Sequence, residues 1–226
     1  DIIMVGGFAI FTMVSTLGMA PMVGIITAVI VCTLLGVTIE FVAYRPLRGA
    51  SSLAVLITAI GVSYLLQNLA LLIFGSNARQ FTSVVTISSL KLAGGRLSIS
   101  GETIVTIAVC IVIMIALTAF INKTRIGQAM LAVSEDKGAA ALMGINVNRT
   151  IAVTFAIGSA LAAVAGALLC STYPSLTPYT GSMPGIKAFV AAVFGGIGSI
   201  PGALLGGIIL GVVENLSKAY ISSQLS

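Results

Sequence analysis

Residues 103–121, TIVTIAVCIVIMIALTAFI, run without one charged side chain. An apolar stretch of roughly 18 or more residues reads as a helix that crosses a bilayer. The rest of the chain has the same character. Of its 226 residues, 58% are hydrophobic and 8% charged, and the mean hydropathy is +1.16. A soluble domain carries about 25% charged residues, so this chain cannot cover its surface with polar groups and its solvent is lipid. The net charge of +5 is scattered. No basic cluster interleaves with aromatics, which argues against nucleic acid as a partner.

Working outward from that stretch, residues 22–39, 53–74 and 150–170 read as further spans, and residues 2–17 as the remainder of a truncated one. GMAP, 18–21, makes a tight turn between the first two. The opening DIIMVGG has no charged leader and no small-residue cleavage site, so it is not a signal peptide. It lacks an initiator Met, and the chain reads as an excerpt of a longer protein. Beyond residue 170 the pattern shortens. Residues 186–197 and 203–213 are interrupted by GGIGSIPG. Such a pair is either re-entrant beside a pathway or two tilted helices packed closely through glycine. The second reading is preferred, because neighbouring helices commonly satisfy the freed backbone. Cys32, Cys110 and Cys170 lie in apolar stretches with no CxxC spacing and read as buried packing thiols.

Alternating spans place loops 40–52 and 122–149 on one side, with Arg45, Arg48, Lys123, Arg125, Lys137 and Arg149. The other side has Arg79, Lys91, Arg96 and Lys187. The excess of basic residues assigns the first side, and with it the opening stretch, to the cytoplasm. Residues 75–102 are then external. There LKLAGGRLSIS alternates Leu90, Leu92, Leu97 and Ile99 around Gly94-Gly95, a hairpin signal. An outward hairpin is either a docking surface or a lid. The next outer loop holds Pro174, Pro178 and Pro184 and is stiff.

Small residues recur at four-residue steps: Gly158, Ala162 and Gly166, then Gly202 with Gly206 and Gly207 with Gly211. They let helices approach closely in lipid, and packing within the chain is preferred to dimerisation. Gln67, Asn68, Glu214 and Asn215 are polar groups inside apolar segments and so pathway candidates, although a bond to a neighbouring helix is the commoner use. No ladder of carboxylates suggests ion coupling. The chain has no His and no GxxxxGK[ST] loop; GSMPGIKAF fails that spacing. No enzymatic constellation is present, and energy for uphill movement must come from elsewhere.

One stretch is water-loving: SEDKGAAALMG, 134–144. Ser134 reads as an N-cap, with Glu135 and Asp136 in the first turn where the helix dipole favours acids. Alanines follow, and Gly144 suits the left-handed C′ position with Ile145 after it. About nine residues, or roughly 13 Å, cannot span a bilayer. The surface of Gly138, Ala139 and Ala140 is small and smooth, fit for a groove on another protein. A helix resting on the membrane surface would need more large apolar residues.

Three blocks carry a family resemblance: EFVAYRPLRGASSLAVLITAIGVSYLLQNLALLIFG, IGQAMLAVSEDKGAAALMGINVNRTIAVTFAIGSALAAVAGALL and GIKAFVAAVFGGIGSIPGALLGGIILGVVEN. Together they resemble the LivH-type inner-membrane permeases of branched-chain amino acid ABC importers, over essentially the whole chain. The resemblance implies an all-α, polytopic transmembrane bundle, residues 1–226 forming one permease domain with a cytoplasmic coupling loop at 122–149. It implies a second related permease, two cytoplasmic ATPases that carry the ATP, and a periplasmic binding protein, in a bacterial inner membrane. It places residues 135–146, Asn146 included, against the ATPase. Members have a further helix at each end. Related permeases carry urea or short amides, so the substrate stays open at this point. A stand-alone secondary carrier is the alternative of another class.

Overall fold

In a bilayer every backbone polar group must be satisfied within the protein, and this chain answers with helices. The computed structural model describes residues 1–81, 90–92 and 97–220. Helix α1 (Ile2–Phe11) continues through a π-helical turn, Thr12–Thr16. Helix α2 (Pro21–Ile39) does the same through Glu40–Tyr44. Then come α3 (Ser52–Phe74), α4 (Gly101–Lys123), α5 (Arg125–Glu135), α6 (Lys137–Leu142), α7 (Val147–Thr172), α8 (Ser182–Gly195) and α9 (Ile200–Tyr220). Among the described residues five helices are long and apolar enough to cross a membrane: Pro21–Tyr44, Leu53–Phe74, Gly101–Lys123, Val147–Thr172 and Ile200–Tyr220. Mid-helix threonines such as Thr27, Thr33 and Thr154 turn their hydroxyls onto the carbonyl four residues back, which hides them from lipid.

The last of these spans corrects the expected pair of short segments. Pro201 is accommodated in the first turn, where no helical N–H is lost, and the helix runs on through Glu214 to Tyr220. Its neighbour α8 is shorter, at 14 residues, and begins at Ser182. Pro184 and Lys187, expected in a stiff loop, therefore lie in that helix. The two helices pack through glycine, as preferred: a Cβ on Gly195 would overlap the Gly202 carbonyl, and one on Gly206 the Ala191 carbonyl.

The strands are short. β1 (Arg79–Gln80) pairs antiparallel with β4 (Ser175–Leu176), which ties the segment after α3 to the segment after α7. β2 (Leu90–Leu92) pairs with β3 (Leu97–Ile99) in the register Leu90↔Ile99, Lys91↔Ser98 and Leu92↔Leu97. The expected hairpin is thus present in its strands; its Gly94-Gly95 turn lies outside the described residues.

The core surrounds α1. Met4, Phe8 and Ile10 are buried against Ala28 and Cys32 of α2, Leu66 and Ala70 of α3, and Ala163, Ala167 and Cys170 of α7. The Phe8 ring stacks on Phe74 with centroids 4.2 Å apart. Small residues set the helix spacing, but not all the expected ones. Gly166 meets the Ile3 carbonyl, whereas Gly158 has nothing within 4 Å, and the buried face of α7 is Ser159, Ala163, Gly166, Ala167 and Cys170. Gly36 faces Ser159 so closely that a Cβ would overlap it. Gly211 is open and Gly207 barely touched.

Two further expectations change. Cys32 and Cys170 are buried, but Cys110 is exposed on α4. None of the most apolar stretch of α4 is buried, at a mean hydropathy of 3.0, so its apolar surface faces outward, where lipid solvates it. The opening stretch does not begin at an end of the bundle. Cys32 Sγ donates to the Ile2 carbonyl at 3.6 Å and Gly166 abuts Ile3, which sets the start of α1 beside the middle of α2 and the last third of α7.

Candidate coupling helix and polar groups of the spans

The water-loving segment is two helices with an elbow between them. Thr124 starts α5: its hydroxyl accepts from Gly127 N at 3.0 Å and donates to the Phe120 carbonyl at 2.7 Å. Gly127 fits because any Cβ there would overlap the last turn of α4. Met130 and Val133 follow at helical spacing and turn inward, Val133 fully. Asp136 then leaves the helix with extended backbone, φ −148° and ψ 112°.

Asp136, not Ser134, is the N-cap of α6. Its Oδ1 accepts from Gly138 N at 2.7 Å and Ala139 N at 3.1 Å. The Ser134 hydroxyl instead donates back to the Leu131 carbonyl within α5, at 2.7 Å, and Glu135 is the last residue of that helix. The cap moves because Thr124 had already started a helix that carries through Ser134. The C-terminal end is as expected. Gly144 has φ +82°, Ile145 N donates to the Ala140 carbonyl and Gly144 N to the Ala141 carbonyl, both at 3.0 Å, which is the Schellman pattern. Asn146 then caps α7, its Oδ1 accepting from Arg149 N at 3.0 Å.

The face that α6 offers differs from the expected one. Ala140 is 4% exposed and packs inward, while Leu142 and Met143 are 90% and 83% exposed. Gly138 and Ala139 are exposed as expected. Two large apolar side chains therefore stand exposed at the end of this short helix; the adjacent Leu-Met pair just before Gly144 was the signal for them.

Behind the elbow lies a cavity of about 830 Å³. Ser134 and Lys137 line it from the elbow, Thr118 and Asn122 from α4, Thr150 and Thr154 from α7, and Gly196–Ser199 from the α8–α9 turn. The elbow thus faces α4, the start of α7 and the α8–α9 turn across this cavity. The Thr118 hydroxyl is buried without a hydrogen-bond partner among the described residues.

The polar candidates in the spans divide. Gln67 is buried and its Nε2 donates to Asp1 Oδ1 at 3.1 Å and to Ser182 Oγ at 3.0 Å, joining α3 to the starts of α1 and α8. Asn68, one residue on, is exposed and donates to the Tyr64 carbonyl in its own helix. Glu214 accepts from Lys187 of α8 and from Lys218, each at 2.7 Å. Asn215 is exposed and bonds the Gly211 carbonyl. The four do not form one site: Gln67 and Glu214 are held by other helices, Asn68 and Asn215 only by their own. Sequence reading missed Ser182 and Lys187 as the α8 residues that engage Gln67 and Glu214. Among the described residues no group of three His, Cys, Asp or Glu side chains could hold a metal ion.

The comparisons with known proteins agree with one another. The family model for the branched-chain amino acid transport system / permease component matches residues 1–226. The chain is 43% identical to the high-affinity branched-chain amino acid transport system permease protein LivH of Salmonella typhimurium, over 99% of this chain and 76% of that protein. It is 42% identical to LivH of Escherichia coli K12 over the same shares. BraD of Pseudomonas aeruginosa, named as a permease protein of the same kind of system, is 41% identical, again over 99% of this chain and 76% of its own length. No solved structure matches the chain.

Proposed function

This chain belongs to the branched-chain amino acid transport system permease family, and from that premise we propose how it works. It is a multi-pass membrane permease for branched-chain amino acids, a transport subunit and not an enzyme. We infer that it sits in a bacterial inner membrane beside a second, related permease, takes substrate from a periplasmic binding protein, and is driven by two cytoplasmic ATPases that bind the ATP.

The observation that carries this reading is the α5–α6 elbow with Leu142 and Met143 outward. A rigid element, capped at both ends and tied directly to α4 and α7, is suited to receive motion from another subunit. Its inner side borders the cavity that reaches the α8–α9 turn, so ATPase closure would move the ends of α4, α7, α8 and α9 together. Residues 134–146 are then the coupling region and lie in the cytoplasm, with the paired strands β1 and β4 at the periplasmic end. Gln67, where α3 meets the start of α8, is the polar group we assign to the pathway. Glu214 braces α9 against α8 through Lys187.

Uptake by the assembled transporter in proteoliposomes tests the proposal. Radiolabelled leucine is expected to accumulate only with ATP on the ATPase side and binding protein on the other, with excess isoleucine or valine competing and urea not. Accumulation by the permease alone, driven by an ion gradient, would overturn it.

A further inference from the structure

At the end of the bundle that carries α6, the π-helical close of α2 and the first turn of α7 stand apart and leave a cleft of about 480 Å³. Its lining combines Val37, Thr38, Phe41 and Ala152 with Glu40, Arg45, Asn146, Asn148 and Arg149. Phe41 is 58% exposed, and Arg45 lies over its ring at 5.1 Å. On the other side of Arg149 a second hollow of about 380 Å³ is lined by Arg125, Ile126 and Val153. Among the described residues none of these three arginines has a carboxylate partner. The one acid in the cleft wall, Glu40, is already paired with Arg48.

With α2 and α7 taken as membrane spans, the arginines of the cleft lie toward the surface and Val37 and Phe41 deeper, with Thr38 and the Arg48-paired Glu40 between them. Val37 and Phe41 belong to the last turns of the span Pro21–Tyr44, at the depth of acyl chains. Arg45 and Arg149 stand at the helix ends, at the depth of headgroups. An occupant must carry a negative charge at the rim and a hydrocarbon continuation beneath it. An acidic loop of a soluble subunit supplies the first and not the second. Basic pockets between transmembrane helices at the cytoplasmic surface suit anionic headgroups, and guanidinium groups match phosphate oxygens in geometry as well as charge.

We propose that the cleft between the end of α2 and the start of α7 is a binding site for an anionic phospholipid, its phosphate held by Arg45 and Arg149 and its acyl chain laid along Val37 and Phe41. The site requires that α2 and α7 cross the membrane; Asn146, the last residue of the coupling region, borders it.

Native mass spectrometry of the assembled transporter, titrated with phosphatidylglycerol or phosphatidylcholine in detergent, tests it. Wild type is expected to retain phosphatidylglycerol selectively. Arg45→Gln and Arg149→Gln each cut that retention about fivefold, the double variant does so more deeply, and phosphatidylcholine retention and ATPase co-purification stay unchanged. Lys123→Gln, a charge removed at the same end but outside the cleft, leaves retention intact. Equal loss in Lys123→Gln would reduce the effect to general surface charge and overturn the proposal. Displacement of the lipid by millimolar inorganic phosphate would make the occupant a free anion. Loss of ATPase binding in Arg149→Gln with lipid retention unchanged would assign the arginines to the partner subunit instead.

Discussion

Truncating Leu142 and Met143 to alanine separates docking from folding in the coupling helix. Both side chains are almost fully exposed in the free chain, at 90% and 83%, so their removal is expected to change permease stability by less than about 0.5 kcal/mol. If the ATPase buries them, each truncation deletes about three methylene equivalents of apolar contact, or about 2 kcal/mol at ~0.8 kcal/mol per group. That is a loss of about 30-fold in affinity per residue, approaching 1,000-fold for the pair where the two effects add. The assay titrates purified ATPase onto the permease pair in nanodiscs and follows thermal unfolding of the permease in parallel. Ala140→Trp provides the contrast. Ala140 is buried, at 4% exposure, so Trp cannot be housed without lifting α6 from α5 and α7, and a stability loss of about 1–3 kcal/mol accompanies any docking defect. ATPase binding within threefold of wild type in the double alanine variant refutes the assignment of this face.

Two tests address the scaffold. Gly36→Ala forces a methyl group into Ser159 where α2 crosses α7 and is expected to cost about 1–3 kcal/mol in thermal unfolding; adding Ser159→Gly returns most of it, and failure of that rescue means the crossing is not set by this contact. Glu40→Gln strands the Arg48 charge beside a side chain only 3% exposed, with an expected cost of about 3 kcal/mol; Glu40→Gln with Arg48→Met recovers part of it, and a Glu40→Gln variant as stable as wild type would show that the ion pair is not what closes the α2 end.

The sequence alone determined that this is a membrane protein, where four of its five long spans lie, and how α6 ends. Those properties are local: an apolar run of sufficient length must be helical in lipid, and a glycine after a helical run supplies the positive φ that Gly144 adopts. The family resemblance was legible for the same reason, being carried in contiguous blocks. What tertiary structure decided is rotation and contact. In water an apolar face points inward, but in lipid the inside and outside of a bundle are equally apolar, so hydropathy does not say which way a helix faces. Gln67 and Asn68 are neighbours in sequence, yet one joins three helices and the other bonds only its own. The same turn of phase moved the packed face of α7 from Gly158 to Ser159. It also put Ala140 against the bundle and Leu142 and Met143 outside it. A step of one residue turns a helix by about 100°, and only the neighbouring helices, through the close approaches their glycines permit, fix where that rotation comes to rest.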